Sequence, residues 1–596
     1  MSETFPDTAP SVKPAEDRLD SWKEIAAYLN RDVTTVQRWE KREGMPVHRH
    51  VHDKLGSVYA SRAELDAWAR GRKPQGEAEN GNEAPSSNAA APATTMGVRE
   101  GLSGRIKVAI AAAALAVVVV LTAFAIYRVT RAPSGESQGR LVIAVVPLEN
   151  LSGDPGQDFF VNGLTEEVIT QLGQLNPERI GVVRYGSSST ARQSGSLIAE
   201  LRQRAGLQYL LEGSVRRQEE QARISIRLVR VADETTVWTE SFDRSVGDVL
   251  ALQSEIAQRI GRELQIRILG VTKRKPVDSA VVEAYFKGRF ELGQHTLPVP
   301  DAARAYFEKA IALDPSYAPA YAGLADFYSS RAVGEDEGSE EAWRQAEKYA
   351  NQALRLDSES AETHTAIAEI KLMHDWDWRA AREHALRALQ LNPSLPEAHA
   401  VYARYLRTAG KVEEALNQRK QAVALDPFRA DLKEQLTLEE YFAREYGSIV
   451  ADARLALAND PNDQTPHEEL CINLGRLGLF DESAAECGRQ IVQEGHAGWA
   501  VEYAREYRKH GYAAAGLLVA KKRLNEIRKR PQADLWDLAN AYVAADMRDD
   551  AFRALFQGLK THEPGLLQIR VDPDFDSIRS DPRYTELVRQ IGFPTE

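Results

Sequence analysis

Few residues in this sequence have the types and spacing that covalent chemistry needs. Gly153-Asp154-Pro155-Gly156 follows an apolar run, but neither G-x-x-x-x-G-K-[ST] nor G-x-G-x-x-G is present there, so the segment reads as a turn. Ser187-Ser188-Ser189 lacks the G-x-S-x-G setting of a nucleophile elbow. Only 2 cysteines occur, too few for a Cys-based zinc cluster. His364, His374, His384 and His399 fall on different expected helices at no ligand spacing, and His48, His50 and His52 alternate along one strand face. The sequence therefore predicts no catalytic residue, no metal site and no cofactor. One group does have a suitable chemistry. Thr34, Thr35, Gln37, Arg38, Lys41 and Arg42 lie on one expected helix, with Arg49 just beyond it. Arg and Lys bind phosphates or guanine edges, while Gln and Thr can read bases, which is the chemistry of double-stranded DNA recognition.

The surrounding pattern can position such a face. Ser21 with Glu24 is a capping box for a first helix through Leu29, and Asp32 is an N-cap for a second over 33–43. Val36 and Trp39, three apart, point inward. Gly44-Met45-Pro46 ends that helix, 47–59 reads as a hairpin wing, and Ser61 with Glu64 caps a packing helix carrying Leu65 and Trp68. Residues 18–73 hold 12 basic and 8 acidic side chains, whereas the whole chain has a net charge of −12. A basic module thus precedes an acidic remainder. WKEIAAYLNRDVTTVQRWEKREGMPVHR and SVYASRAELDAW resemble the excisionase- and MerR-like winged helix-turn-helix domains. That resemblance implies DNA binding through the second helix. A monomer this small should bind weakly, so a homodimer is expected on DNA.

At roughly 100–200 residues per domain, 596 residues predict several domains. Residues 1–17 read as a disordered tail and 74–104 as a linker, both rich in Pro, Ala, Ser, Asn and Gly. Residues 108–127, VAIAAAALAVVVVLTAFAIY, contain no charge, and about 20 helical residues span an apolar layer of about 30 Å. The expectation is one transmembrane helix. From 140 to 268 the pattern becomes β-α-β-α-β-β-β-α, with a strict alternation of Ile224, Ile226 and Leu228 against Arg223, Ser225 and Arg227. IAVVPLENLSGDP, FFVNGLTEEVITQL, YLLEGSVRR and VWTESFDR resemble the TolB amino-terminal type of domain, which implies binding and not catalysis.

Residues 278–595 repeat. Leu313-Asp314-Pro315, Leu356-Asp357-Ser358, Leu391-Asn392-Pro393, Leu425-Asp426-Pro427 and Asn459-Asp460-Pro461 mark a period near 34, with Ala310, Ala353, Ala388 and Ala422 where helices must approach closely. This pattern resembles tetratricopeptide repeats, whose resemblance implies an all-α solenoid with a groove for a protein or peptide. The ending DPDFDSIRSDPRYTELVRQIGF is expected to cap the last hairpin, and Trp376 and Trp378 to fill a core between repeats. Cys471 and Cys487 lie equidistant from Leu479, at one height of a helical hairpin, and are candidates for a disulfide; two buried thiols are the alternative.

Together these readings predict a multidomain chain: winged helix-turn-helix, transmembrane helix, α/β domain and solenoid. The expected function is a one-component transcriptional regulator in the cytoplasmic (inner) membrane, single-pass, with a cytoplasmic N-terminus and exported C-terminal domains. The alternative is a membrane-bound tetratricopeptide scaffold whose N-terminal module is a protein adaptor.

Overall fold

The computed structural model describes residues 140–186, 206–266, 277–293, 299–334, 339–530 and 534–594, and before them 18–19, 21–29, 45–49 and 58–62 with positions 35, 36, 40, 64, 65 and 68. The chain forms two compact units, Met1–Val118 and Val119–Glu596.

In the first unit, β1 (Arg18–Leu19) and β2 (His48–Arg49) both pair antiparallel with β3 (Val58–Ser61), giving the order β1-β3-β2. Helix α1 (Trp22–Tyr28) begins where Ser21 caps it, the Glu24 amide donating to Ser21 Oγ at 3.2 Å. Ile25 and Ala26 from α1, Val36, Met45, Val58, Ala60 and Leu65 form one core beneath the strands. A core this small leaves little margin, so each of these apolar side chains matters to the fold.

The second unit opens on a mixed sheet. Strands β4 (Leu141–Val145), β5 (Glu149–Asn150), β6 (Ile180–Arg184), β7 (Leu207–Gln218), β8 (Gln221–Arg230) and β9 (Thr236–Ser245) have the order β6-β4-β7-β8-β9, with β5 beside β7. The β6-β4-β7 ladders are parallel and the rest antiparallel, apart from the parallel β5–β7 contact. β4 is apolar throughout because both its faces are covered: Ile143 and Val145 face one cluster, Ala144 and Val146 another. On β8 the alternation is realised, with Ile224, Ile226 and Leu228 buried and Arg223 and Arg227 exposed. Helices α2 (Asp158–Leu175) and α3 (Val249–Glu263) cover one face. The helix expected around 197–205 lies outside the described residues.

Helical hairpins follow: α4 (Ser279–Leu292), α5 (Asp301–Leu313), α6 (Ala318–Gly334), α7 (Ser339–Leu356), α8 (Ala361–Met373), α9 (Trp378–Leu391), α10 (Pro396–Thr408), α11 (Val412–Leu425), α12 (Ala430–Phe442), α13 (Tyr446–Asn459), α14 (Pro466–Arg476), α15 (Phe480–Gln493), α16 (Ala497–His510), α17 (Tyr512–Ile527), α18 (Leu535–Ala544) and α19 (Arg548–Lys560), then α20 (Pro582–Ile591). Ala310, Ala353, Ala388 and Ala422 are all 0% exposed, so neighbouring backbones meet at these positions. The acidic or amide residue of each recurring triplet also has a job. The Oδ1 of Asp314, Asp357, Asn392, Asp426 and Asp460 each accepts the amide two residues on, closing the same turn five times. The opposite turns need a left-handed residue: Gly410, Gly478 and Gly511 supply it cheaply, and Trp376, Arg444 and Asp546 adopt it with φ of 54°, 61° and 58°.

Sheet and array share one core, which runs from Phe160 on α2 through Phe286 on α4 to Phe307 and Phe327. A Cβ on Gly163 would stand 2.4 Å from the Phe286 ring, so α2 and α4 require glycine there to come this close.

One expectation needs correction. The transmembrane helix expected at 108–127 lies outside the described residues, and among the described residues no helix is long and apolar enough to cross a membrane. The described chain is mostly helical, and one of its two longest helices, α7, has 18 residues and carries Glu340, Glu341, Arg344, Glu347, Lys348 and Arg355. A single-pass fold class is therefore not supported, and the inner-membrane placement with exported domains does not stand.

Cys471 on α14 and Cys487 on α15 are joined by a disulfide with Cα atoms 4.7 Å apart. The crosslink closes a loop of sequence separation 16, which by chain entropy contributes about 3 kcal/mol. Reduction should lower the stability of this hairpin by about 2–3 kcal/mol, measured as hydrogen exchange of α14 and α15 with and without reductant. Equal protection in both samples would refute this.

Candidate functional site

Of the expected DNA-reading side chains, Thr35 is half-buried next to Val36, which is 0% exposed. Val36 is therefore inward, and Trp39, expected beside it, lies outside the described residues. Thr34, Gln37, Arg38, Lys41 and Arg42 lie outside the described residues, and Arg49 is described only as part of β2. Of the expected wing, the two strands β2 and β3 are described, and residues 50–57 lie outside the described residues. His48 stacks on Tyr59 with centroids 5.2 Å apart, and its Nε2 lies 2.9 Å from Glu64 Oε2. His48, expected on a strand face, is exposed on β2 and links that strand to Glu64. His50 and His52 lie outside the described residues.

In the array the first helices of successive hairpins, α6 with α8 and α8 with α10, pack on one another more than the second helices do, so they lie on the inner side of the curve. Equivalent positions there can be read down the array: Asp326, Glu369, Arg404, Leu438 and Ile472. The first three are charged and tied into pairs. Arg289 approaches Asp326 at 3.8 Å, Arg404 pairs with Glu369, and Arg429 pairs with Glu397 and, at 2.7 Å, with Asp431. The last two are apolar and 40% exposed.

Beneath this surface lies a buried charge group. Glu439 on α12 is 0% exposed, and its Oε1 accepts from Arg407 at 3.0 Å and from Arg419 at 3.4 Å. Burial, partly offset by Glu439, pushes the Arg419 guanidinium down to about 10.

The sheet is held by the array at two places. At one, Arg217 of β7 reaches Glu283 of α4 at 2.9 Å while lying over the Phe160 ring. At the other, the turns after α9 and α11 meet β6 and its end: Val182 N donates to Ser394 Oγ at 3.1 Å, and Tyr185 meets Phe428 edge-on at 5.2 Å. An edge strand is thereby closed by a helical turn.

The C-terminal segment does more than cap. It completes the core of the last hairpin with Leu566, Ile569, Phe575 and Ile578, and it also returns to earlier turns. Trp378 Nε1 donates to the Gly592 carbonyl at 2.8 Å, His562 stacks on Trp376 at 4.5 Å, Arg444 pairs with Asp576 at 2.8 Å, and Arg476 pairs with Asp574. Trp376 and Trp378 pack against the core between repeats, as the sequence predicted, and in addition hold the C-terminal segment.

The histidines carry a repeat the sequence reading missed. His364 and His399 each place Nε2 3.1 Å from the carbonyl six residues earlier, and His364, His399 and His467 each place Nδ1 against a second-helix partner, His384, Gln418 and Glu486. Their spacing of 35 and then 68 residues was the available signal. Among the described residues no group of three or more metal-ligating side chains occurs.

Comparison with known proteins adds a family to this geometry. Residues 139–259, the sheet domain, match the family described as HilA/YgeH-like transcriptional regulator, second domain. A protein of Rhizobium meliloti (strain 1021) named putative adenylate cyclase 3 is 28% identical over 232 residues, which is 38% of this chain and 39% of that protein. The chain thus spans about two fifths of that relative's length. Among solved structures, a thermophilic TPR protein of Thermus thermophilus aligns at 20% identity over 32% of this chain and 89% of its own, with a TM-score of 0.23. YrrB, a TPR protein with an unusual peptide-binding site, aligns at 21% identity over 33% and 86%, with a TM-score of 0.19.

Proposed function

We propose that this chain is a transcriptional regulator. Residues 18–73 bind double-stranded DNA as a homodimer, and the helical array receives a protein partner. The observation that carries this reading is the match of residues 139–259 to the second domain of HilA/YgeH-like transcriptional regulators, downstream of a three-stranded module with the residue types of a winged helix-turn-helix. The finer resemblances, to MerR-like and TolB-like domains, belong to this proposal. The array is the sensing part. Because it grips the sheet both at α4 and at the turn carrying Ser394, a partner that changes its curvature strains the sheet between two fixed points. We assign no catalytic step to any residue, and the cyclase relative bears on less than half of either protein.

In this reading Thr34, Gln37 and Arg38 face bases, and Lys41, Arg42 and Arg49 face phosphates. Arg38→Ala should cost about 1–3 kcal/mol at one position of the binding site. Lys41→Ala should weaken all sequences alike and reduce the salt slope by about 1. Titration of duplexes with residues 1–118 at several salt concentrations measures both. A fragment that binds no duplex at low salt, even as a forced dimer, would favour the protein-adaptor reading.

A further inference from the structure

We propose that the surface of α12 and α14 docks a cationic amphipathic segment of a partner protein, one presenting Lys or Arg beside exposed aliphatic side chains. This rests on the reading of the array as the protein-binding part. Leu438 and Ile472 are 34 residues apart, occupy equivalent positions on successive first helices, and are each 40% exposed. Counted from the left-handed turns at Gly478 and Gly511, Val501 of α16 lies one helical turn further along the same face, and it is 68% exposed. By the repeat, these three exposed aliphatic residues on successive first helices form a strip, where scattered ones would need no explanation.

The charges around the strip are one-sided. Glu434 and Glu468 each precede the exposed apolar residue by one turn, so they too are equivalent, and both are exposed. Residues 430–476 contain ten carboxylates and four cations, Lys433, Arg444, Arg454 and Arg476. Three of the cations are held, Arg444 by Asp576, Arg454 by Glu482 and Arg476 by Asp574, and three of the carboxylates likewise, Asp431 by Arg429, Glu439 by Arg407 and Arg419, and Glu445 by Lys420, which leaves seven carboxylates and Lys433 outside these pairs. Burial first, and then the negative charge of Asp452, Glu468 and Asp463, raise the Glu469 carboxyl above its ordinary value. An apolar strip rimmed by carboxylates is complementary to an apolar stripe rimmed by ammonium or guanidinium groups.

The test is fluorescence anisotropy of the full chain with a labelled Lys/Leu amphipathic helical peptide and its Glu/Leu counterpart. The Lys/Leu peptide should bind about tenfold more tightly, a difference of about 1.4 kcal/mol, and high salt should narrow the gap. Glu434→Lys with Glu468→Lys should reverse the order, and Leu438→Ala with Ile472→Ala should weaken both peptides. Glu340→Lys with Glu341→Lys, on the distant α7, should leave the preference unchanged. If that distant swap removes the preference as well, the attraction is only the chain's net charge and the proposal fails. Preference for the Glu/Leu peptide at the same residues would overturn the cationic partner and leave a protein-binding array standing. Binding of neither peptide would overturn the surface itself, while DNA binding by residues 1–118 would still report separately on the regulator reading.

Discussion

Glu439→Ala should destabilise the array by about 3–5 kcal/mol, the cost of removing one partner from a buried ion group. Arg407 and Arg419 share a single carboxylate oxygen, Glu439 Oε1, and Arg419 is 1% exposed. Without Glu439, Arg419 keeps only Gln435 Oε1 at 2.6 Å and the Ala400 carbonyl at 3.3 Å, both uncharged. Arg407 keeps the Phe442 ring at 5.2 Å. Two guanidinium groups would then repel each other in a dry site. The group is not optimal even when intact, since Arg407 Nε, Arg419 Nε and Glu439 Oε2 lack hydrogen-bond partners. Replacing all three by Met, Met and Leu should therefore cost little or even stabilise, as matched apolar packing often does. Denaturant unfolding of the single and triple variants decides this. A triple variant as unstable as Glu439→Ala would show that the charges contribute net stability.

How much of this was legible in the sequence depends on how far apart the interacting residues are. Period-two alternation on β8, the Asp/Asn-Pro triplets and the buried alanines are local signals, and each marks a feature that neighbouring residues decide. Cys471 and Cys487 were readable because a hairpin pairs residues equidistant from its turn. The contact of Ser394 with Val182 spans 212 residues, and that of Trp378 with Gly592 spans 214. Such pairs are set by the curvature of the whole array, which no window of sequence contains. The histidines differ again: they have no ligand spacing, and it is the repeat spacing that places Nδ1 of His364, His399 and His467 against a second-helix partner. Glu439 gave no signal at all, because a carboxylate on a helix ordinarily faces water. Of the helix expected at 33–43, only Thr35, Val36 and Glu40 are described.

Asp572→Asn should stabilise the C-terminal segment by about 2–4 kcal/mol at pH 8 and by about 1 kcal/mol at pH 5. Asp572 is 5% exposed and begins the turn that carries Asp574 and Asp576, its Oδ1 accepting the Asp574 amide at 2.9 Å. Burial first, then the Asp574 carboxylate, push its carboxyl up to about 7, against the opposing pull of Arg476 and Arg579. In the unfolded chain the same group titrates near 4, so between about pH 4 and 7 the folded segment holds a proton that the unfolded one has lost. Stability contributed by that proton is complete below the unfolded value and is lost as pH rises through the folded one. Asparagine keeps the acceptor and removes the charge, so the variant's profile should be flat where the wild type declines. His364 and His384 work in the opposite sense, because burial lowers both and acid must force a proton into the pair. Their contribution is common to wild type and variant and cancels in the difference. Hydrogen exchange of residues 564–593 at pH 5 and pH 8 isolates the effect. Parallel losses of protection in the two proteins would mean that Asp572 is not the group that titrates, and that the bonds to Arg444, Arg476 and Trp378 hold the chain's end irrespective of its charge.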